Sequence, residues 1–541
     1  MTKQNTPGHP GATPASNERS DADLARALVE SLQQFVDDRP RLARLPDAER
    51  DRLIEVCGRL SRPTPAELHT YSKARRRTRR QGRREDQRLH DATLLDRTRV
   101  RVQRLDLVYP TPDPHEDPRD SDLAHALPGP KLVEARTCYI CKKDYRDVHS
   151  FYDALCPECA EFNFLKRNQT ADLTDRVAVL TGGRVKIGYQ AGVKLLRAGA
   201  RLIVTTRFPR DAATRYAAEK DFGQWQDRLD IYGLDLRHTP SVEGFLDYIR
   251  KRYDRLDFVL NNACQTVRRP PGFYAHLIRD EQLPYDQLHE RTRRLLAGQE
   301  ELAKHLALGP EPTASHARLD GGGTRPLVNS KNGGPTGLPG IARSASLSQI
   351  PLIAGDVDVG EHLFPVGRLD ADLQQIDLRQ INSWRLRLAE VPTVELLEVH
   401  LVNAVAPFIF NARLKELMLR HPGRDKHIVN VSAMEGQFYR AFKTDKHPHT
   451  NMAKASLNMM TRTSAPDYHA DGIHMNSVDT GWITDEDPIH ITIAKQQEHG
   501  FHPPLDHVDA AARICAPIFD GIRTGEHTWG QFLKDYKPTR W

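Results

Sequence analysis

The sequence lacks the marks of a secreted or membrane-spanning chain. Residues 1–20 are polar and rich in Pro, Gly, Asn and Ser, without the apolar core of a signal peptide. We find no run of about 18 apolar residues, the length that crosses a bilayer. We therefore expect a cytoplasmic protein without a membrane partner, whose 7 cysteines are metal ligands or free thiols rather than disulfides.

The chain also lacks a strong excess of charge of either sign. Its 78 Lys and Arg residues against 72 Asp and Glu residues leave a net charge of +6, too small to indicate a nucleic-acid binder from the whole chain. An apolar fraction of 39% and a charged fraction of 28% are typical of a soluble protein with some disordered segments. At 541 residues the chain is too long for one hydrophobic core, so we expect several folded units joined by linkers.

The first 130 residues predict no large core. Residues 1–22 are expected to be disordered, and residues 23–130 to form helices, an arginine-rich segment and a linker. The basic run Lys73–Arg84 fits a helix that follows the phosphates of nucleic acid or an anionic membrane, but it also fits a solvated helix with excess arginine. Because no aromatic residues interleave and acidic residues follow at once, the solvated helix is favoured over a nucleic-acid partner.

Two cysteine pairs follow the linker. Each has two residues between its cysteines, and 14 residues separate the pairs, slightly fewer than is usual for zinc sites. Four thiolates in such knuckles suit tetrahedral zinc and leave no open coordination position, so the metal is expected to be structural. The alternative is four unrelated buried or redox cysteines. We predict a metal-dependent module over residues 131–170, with four zinc ligands: Cys138, Cys141, Cys156 and Cys159.

A glycine-rich turn follows this module. Val177 to Leu180 is predicted to be a buried strand, and a helix is predicted from about Ile187 to Ala198. A strand, a tight turn and a helix in this order place helix-terminal N–H groups where they can hold a phosphate. Alone, the turn is a weak signal, because many glycines only end strands.

The turn resembles the cofactor turn of the short-chain dehydrogenase/reductase family, Thr-Gly-x-x-x-Gly-x-Gly. Here it consists of Thr181, Gly182, Gly183, Arg184, Val185, Lys186, Ile187 and Gly188. Further marks of the family follow in order, namely Asp235-Leu236, Asn261-Asn262-Ala263, Asn403, Ser432, Lys454 and Thr480-Gly481. The resemblance covers residues 171–541. It implies an α/β fold with a doubly wound parallel sheet. At about 268–391 the chain departs from the family, which needs only a short loop there, and this long insertion is either a lid or an arm for a protein partner.

The resemblance also implies a nicotinamide dinucleotide as cofactor. In the family, Asp235 and Leu236 would lie at the adenine, Asn262 and Ala263 beneath the nicotinamide ribose, and Gly481, Ile483 and Thr484 at the nicotinamide. Arg207 ends the second strand, where an acidic residue would bind the ribose 2′-hydroxyl of NAD. Arg207 and Arg184 favour the 2′-phosphate of NADP, with NAD as the alternative. Lys186 stands where the family has its middle glycine.

The family resemblance gives candidates for three of four catalytic roles. Ser432 would orient the substrate oxygen, Lys454 would hold the nicotinamide ribose, and Asn403 would bind a water of a proton relay. The fourth role belongs to a tyrosine, and Thr450 stands in its place. A threonine hydroxyl does not titrate near neutral pH, so it is a poor general acid. The adjacent His449 could supply the proton instead.

Three functional hypotheses remain open. In the first, His449 completes an NADP-dependent oxidoreductase that acts on a carbonyl or alcohol substrate. In the second, hydride transfer needs no strong acid. In the third, the domain binds a dinucleotide without turnover and serves as a scaffold or sensor for protein partners. Homo-oligomers are compatible with all three hypotheses. We predict the oxidoreductase.

Overall fold

The computed structural model describes residues 21–112, 131–308, 338–439 and 443–541. The predicted disorder of residues 1–22, the end of the predicted linker and part of the predicted insertion therefore lie largely outside the described residues. The chain divides into two compact units, Met1–Gln87 and Arg88–Trp541. The four cysteines lie in the same unit as the predicted dinucleotide domain.

Helices dominate the amino-terminal region, as the apolar spacing predicts. They are α1 Asp21–Asp37, α2 Asp47–Ser61 and α3 Pro65–Asp96. Helix α3 starts at a capping box, in which the Glu67 carboxylate accepts from the backbone N–H of Thr64 at 2.8 Å and the Thr64 hydroxyl accepts from the backbone N–H of Glu67. Every basic side chain of Lys73–Arg84 is exposed.

The cysteine module is a small hairpin followed by a helix. Its elements, preceded by the short α4 Arg99–Val102, are β1 Lys131–Thr137, β2 Asp144–Asp147 and α5 Pro157–Arg167. Strands β1 and β2 are antiparallel, and Cys138 and Cys141 lie in the turn between them. Cys156 is the N-cap of α5, and Cys159 lies in the first turn of that helix. The hairpin turn and the helix start therefore bring the two pairs together.

The large unit is built on an eight-stranded sheet. Its strands are β3 Val177–Thr181, β4 Arg201–Thr206, β5 Leu229–Gly233, β6 Phe258–Asn261, β7 Lys426–Ser432, β8 Ile473–Asp479, β9 Phe532–Lys534 and β10 Lys537–Thr539. Their order across the sheet is β10-β9-β8-β7-β6-β3-β4-β5, and among these strands only β10 is antiparallel to its neighbour. Strand order reverses between β3 and β6, so the crevice at their carboxyl ends is the expected ligand site.

Helices cover both faces of this sheet. In the described residues they are α6 Lys186–Arg197, α7 Pro209–Ala217, α8 Thr239–Arg252, α9 Pro271–Glu281, α10 Glu290–Leu295, α11 Ala297–Leu308, α12 Pro339–Ala342, α13 Thr393–His400, α14 Ala406–Leu419, α15 Pro448–Ala470, α16 Ile489–His499 and α17 His507–Thr524. Along β3, Ala178 and Leu180 pack in one core with α6 and α17, while Val179 packs in the other with α8 and α14. Burial on both faces explains why the strands are apolar throughout. The doubly wound α/β fold is thus confirmed.

Residues 393–419 form one long helix in which a π-turn, Leu401–Val405, separates α13 from α14. Asn403 lies within that π-turn. A window of 18 residues within Thr393–Leu419 has a mean hydropathy of 1.4, and by length and composition alone this helix could cross a membrane. Glu395, Glu398 and Asn403 interrupt the stretch, so it is not an unbroken apolar run. Phe410, Leu414 and Leu417 of this helix are buried in the core beside the sheet.

The insertion covers the edge of the sheet at β5. The backbone N–H of Gly233 donates to the side chain of Gln299 at 3.0 Å, and the N–H of Asp235 donates to the carbonyl of Gly340 at 2.7 Å. Helices α11 and α12 therefore satisfy backbone N–H groups at this edge, where a neighbouring strand is missing.

A histidine cluster lies at the opposite end of the sheet, where β7 and β8 begin. His427 Nε2 is 3.0 Å from His527 Nδ1, and the rings of His474 and His527 are stacked at 4.4 Å. Burial lowers the pKa of His474 to about 4, and burial also lowers the pKa of His427 and His527. The folded cluster is therefore neutral at pH 7.

We expect this cluster to destabilise the fold in acid. An unfolded histidine titrates near 6.5, so the unfolded chain binds more protons as the pH falls from about 6.5 to about 4, and the free energy of unfolding falls in that window. Urea unfolding of wild type and His474→Gln at pH 7 and pH 4.5 measures this effect. The loss of stability should be smaller in the variant, by roughly 2–3 kcal/mol. An equal loss in both proteins would contradict the prediction.

Candidate functional site

The glycine-rich turn lies at the point where strand order reverses. Gly182 has φ +70°, and a Cβ there would lie 2.9 Å from the Cα of Ala263. A Cβ on Gly188 would lie 2.2 Å from the carbonyl oxygen of Gly182. Both positions require glycine, because no larger residue fits between these backbones. The start of α6 is thereby held against the end of β3.

Lys186 adopts the left-handed conformation that a glycine would adopt freely. Its φ is +55°, which costs a lysine about 1 kcal/mol relative to glycine. Its side chain lines the cavity described below and has no hydrogen bond or ion pair among the described residues. Burial would raise the pKa of Glu486, but the nearby Lys186 ammonium and the hydroxyl of Thr484 bring that pKa below its ordinary value. Lys186 thus replaces the family's glycine without closing the crevice.

A cavity of about 550 Å³ follows the carboxyl ends of β3 to β6. It adjoins most of the predicted cofactor-binding residues, namely Gly182, Arg184, Lys186, Ile187, Gly188, Arg207, Asp235, Leu236, Asn262, Ala263 and Thr484. Its opposite wall comes from the insertion and from the loop after β8. The sequence did not indicate the individual residues of that wall, which include Asp370, Gln374, Asp377, Arg379 and Glu486, because they belong to no motif.

The two predicted phosphate-binding arginines have different surroundings. Arg184 is buried, forms an ion pair with Asp211 at 2.6 Å and donates to the side chain of Gln374. Its charge is therefore already neutralised. Arg207 has no acidic partner within ion-pair distance among the described residues, and it donates to the hydroxyl of Tyr274 at 2.7 Å. Arg207 is thus the better candidate for an anionic group.

Tyr274 is a member of this wall that sequence reasoning missed. It lies on α9, 7% exposed, with its ring 4.7 Å from the guanidinium carbon of Arg207. Burial would raise its pKa, but Arg207, Arg269 and Arg237 bring the pKa below the ordinary value of tyrosine. The three arginines therefore keep the electrostatic potential at the Tyr274 hydroxyl positive, despite the carboxylates in the cavity wall.

Some side chains that are predicted to contact the adenine and the ribose already form hydrogen bonds within the protein. The carboxylate of Asp235 is held by Arg237, with Nη2 to Oδ2 at 2.6 Å, so its side chain is not free for adenine. The amide of Asn262 donates to the carbonyls of Thr181 and Gly182 at 3.1 and 3.2 Å. The hydroxyl of Thr181 accepts from the N–H of Asn262 and Ala263. Thr181 and Asn262 therefore fix the ends of β3 and β6.

The predicted nicotinamide loop differs from expectation at two residues. Thr484 lines the cavity, but Gly481 and Ile483 do not. Ile483 is 9% exposed and belongs to the apolar core that contains Cys138. Its side chain is therefore turned away from the cavity, and the predicted contact of Ile483 with nicotinamide stays a prediction that would fall to its backbone.

The predicted catalytic residues are buried and do not line the cavity. Ser432, Thr450 and Lys454 are 2%, 1% and 4% exposed. Among the described residues the hydroxyl oxygens of Ser432 and Thr450 have no hydrogen-bond partner, and Lys454 Nζ donates to the carbonyl of Val431 at 2.8 Å. Lys454 therefore lies beside the end of β7, next to the residue that precedes Ser432.

Asn403 is hydrogen-bonded to a residue of the cavity wall. Its side chain accepts from the N–H of Gln265 at 2.7 Å and donates to the carbonyl of Gln265 at 3.0 Å. Gln265 lines the cavity. The side chain of Asn403 therefore anchors the cavity wall, a role that the resemblance did not imply.

His449 lies beside an acidic residue that sequence reasoning did not find. Its Nε2 is 3.5 Å from Oε1 of Glu395 on α13, and the two side chains are 1% and 5% exposed. His447 stacks on Trp384 at 3.8 Å, and burial lowers its pKa to about 4. His449 therefore remains the better histidine candidate.

The four cysteines form a cluster with the geometry of a metal site. Their sulfur atoms all lie within 4.8 Å of one another, and Cys141 and Cys156 are 3.6 Å apart. Tetrahedral zinc with Zn–S distances of about 2.3 Å requires sulfurs about 3.8 Å apart. The backbone N–H of Lys143 lowers the pKa of Cys141 to about 7. The four residues fit a structural zinc ion.

Comparisons with known proteins agree with this geometry. A family model described as short chain dehydrogenase matches residues 176–276. A second, described as Enoyl-(Acyl carrier protein) reductase, matches residues 367–502. The fold is that of a short-chain dehydrogenase/reductase. Between the two matches lies most of the insertion, and the cysteine module precedes both.

Relatives by sequence extend the comparison. An uncharacterized protein of Acanthamoeba polyphaga mimivirus is 29% identical over 416 residues, 75% of this chain and 76% of that protein. The aligned length is greater than that of residues 171–541, so the similarity includes part of the chain before the dehydrogenase/reductase fold. The 3beta-hydroxysteroid dehydrogenase 2 of Eggerthella lenta is 29% identical over 91 residues, and the match covers 34% of its length.

Similar solved structures share less sequence identity with this chain. The Pseudomonas aeruginosa RhlG/NADP active-site complex is 14% identical and has a TM-score of 0.39, with 67% of this chain and 95% of that chain covered. A short chain dehydrogenase from Burkholderia cenocepacia in complex with NADP is 15% identical and has a TM-score of 0.38, with 67% and 96% covered.

We expect purified protein to contain about one zinc ion per chain, held by the four clustered thiolates. Cys141→Ser should lose most of the zinc and become more sensitive to proteolysis in the hairpin turn at residues 138–143, because the metal no longer joins that turn to the start of α5. Metal analysis by mass spectrometry and limited proteolysis measure this. Cys57→Ser, outside the cluster, is the control. Full zinc content in Cys141→Ser would refute the site.

Proposed function

We propose that the protein is an NADP-dependent oxidoreductase that acts on a carbonyl or alcohol substrate. The observation that carries the proposal is the cavity at the reversal of strand order, with a glycine-lined helix start at one end and the unpaired Arg207 beside it. The N-terminal amides of α6 suit a diphosphate, and Arg207 suits a further phosphate on a ribose.

The chain's own residues would divide the work as follows. Gly182, Gly188 and the first turn of α6 would bind the diphosphate, and Lys186 would add positive charge beside it. Bound NADP would supply or accept the hydride. The hydroxyl of Ser432 would orient the substrate oxygen, and Lys454 would place the ribose.

The proton is the step that departs from the family resemblance. Thr450 can hold a hydrogen bond but is a poor acid or base, so we assign the proton to His449. Glu395 Oε1 lies 3.5 Å from Nε2 of His449, close enough that a small shift would let it accept a hydrogen bond from that ring. We infer that zinc at the four cysteines is structural.

A second candidate function is a dinucleotide-binding scaffold or sensor without turnover. It is favoured by one observation: Ser432, Thr450 and Lys454 are buried and do not line the cavity. In that case the insertion, which forms one wall of the cavity, would transmit the bound state to a protein partner.

We expect NADPH to bind more tightly than NADH, and Arg207→Gln to remove most of that preference. Loss of one charged hydrogen-bonding partner of a phosphate should weaken NADPH binding by about 10–100-fold and leave NADH binding nearly unchanged. Calorimetric titration of both dinucleotides measures this. Arg343→Gln, an exposed arginine of the insertion, is the control. Equal weakening of both cofactors would mean that Arg207 does not contact the 2′-phosphate.

We expect oxidation of NADPH with members of a carbonyl-substrate panel, and a fall in kcat of about 100-fold or more in both Lys454→Met and His449→Gln. His362→Gln, at an exposed position, should retain full activity. Stopped-flow absorbance at 340 nm measures oxidation. If His449→Gln keeps the wild-type kcat, another group supplies the proton. Tight NADPH binding without oxidation across the panel would instead support the scaffold.

A further inference from the structure

The cysteine module and the loop after β8 share one apolar core. Cys138, Phe151 and Leu155 of the module are buried in the same cluster as Ile483 and Leu505. Ile187, in the first turn of α6, packs against this cluster from the side of the cavity. The module is therefore part of the support for two segments that border the cavity.

A side chain between two of the metal-site cysteines reaches that loop directly. Tyr139 lies between Cys138 and Cys141 in the sequence, and its hydroxyl accepts from the backbone N–H of Trp482 at 3.0 Å. Trp482 lies two residues before Thr484, which lines the cavity. The carbonyl of Trp482 in turn accepts from the N–H of Leu505 at 3.3 Å. Both backbone polar groups of Trp482, its N–H and its carbonyl, are thus hydrogen-bonded.

A second set of contacts leads from Tyr139 towards the buried Ser432. Lys534 lies 5.8 Å from the Tyr139 ring centre and pairs with Asp479 at 3.2 Å. Asp479 accepts from the N–H of Gly481 at 2.9 Å and from the N–H of Met434 at 2.8 Å. Met434 follows Ser432 by two residues. Asp479 therefore ties the loop to the segment that carries the candidate catalytic serine.

The module is also fixed to the sheet domain, so it does not move independently of the loop. Arg167 pairs with Asp506 at 2.5 Å and Asp509 at 3.0 Å, and all three side chains are at most 4% exposed. The hydroxyl of Tyr152 donates to Asp509 at 2.5 Å. Breaking a buried pair of this kind is costly, because the remaining charge has no partner. Because the module cannot move as a whole, a displacement of the Cys138–Cys141 knuckle should also displace the loop.

We propose that Tyr139 is a positioning residue, which couples the four-cysteine metal site to the cavity by holding the loop 480–484 in place. The metal fixes the Cys138–Cys141 knuckle, the knuckle fixes the tyrosine ring, and the hydroxyl fixes the backbone of Trp482. The consequence for cofactor affinity rests on the proposed function, whereas the consequence for the loop does not. Coupling of this kind is reciprocal, so bound NADPH should also raise the affinity of the four cysteines for zinc.

The test compares Tyr139→Phe with Tyr145→Phe in the full chain. Both changes remove one phenolic hydroxyl of the module, from the half-buried Tyr139 or the buried Tyr145. The Tyr145 hydroxyl donates to the carbonyl of Asp153 and has no hydrogen bond to the loop among the described residues. We expect both variants to keep wild-type zinc content. In Tyr139→Phe alone, the amide of Trp482 should exchange with deuterium about tenfold faster, because one hydrogen bond is lost. The Kd for NADPH should rise about three- to tenfold in this variant alone.

The zinc affinity, measured by equilibrium competition with a chromogenic chelator, supplies a third readout. We expect NADPH to raise this affinity in wild type and to raise it less in Tyr139→Phe. Unchanged exchange of peptide 479–484 in Tyr139→Phe, or equal acceleration in both variants, would overturn the proposal. If wild type binds no dinucleotide, the proposed function fails, and the exchange of Trp482 still decides the role of Tyr139. A loss of zinc in Tyr139→Phe without a change in exchange would also overturn it.

Discussion

The fold and the cavity both depend on how closely the chain after β3 approaches the chain after β6. Gly182 is in contact with the backbone of Ala263, and Gly188 leaves no room for a side chain against the carbonyl of Gly182. Asn262 donates to both carbonyls at the end of β3, so no polar group is stranded in this contact. The start of α6 is thereby fixed at the one place where neighbouring strands diverge and leave a crevice.

Motifs with strong local rules were predictable from the sequence. The four cysteines cluster because a hairpin turn and a helix start each place two thiols on one side, which their spacing already indicates. The strand, turn and helix around Gly182 follow from apolar runs separated by glycines that tolerate positive φ. Each of these signals is contained within a few residues, so a single sequence is enough to find it.

Features that depend on distant parts of the chain could not be predicted in the same way. Arg184 forms an ion pair with Asp211 and donates a hydrogen bond to Gln374, which lies 190 residues away in the insertion. Ile483 turns into the core of the cysteine module, although its motif indicated a ligand contact. Glu395 and Tyr274 belong to no motif, and only the packing of α13 and α9 brings them to His449 and Arg207. Left-handed Lys186 is a case in which tertiary contacts override local preference.

The covered borders of the sheet have a consequence for the protein in concentrated solution. A parallel sheet with an open outer strand offers a row of free amides and carbonyls to any unfolded or identical chain. At one border the insertion bonds to Gly233 and Asp235, and at the other the short β10 contains Pro538, which has no amide hydrogen to donate. Both borders therefore obstruct the pairing of an outer strand with a strand of another copy. A variant that shortens the insertion would expose β5 to such pairing.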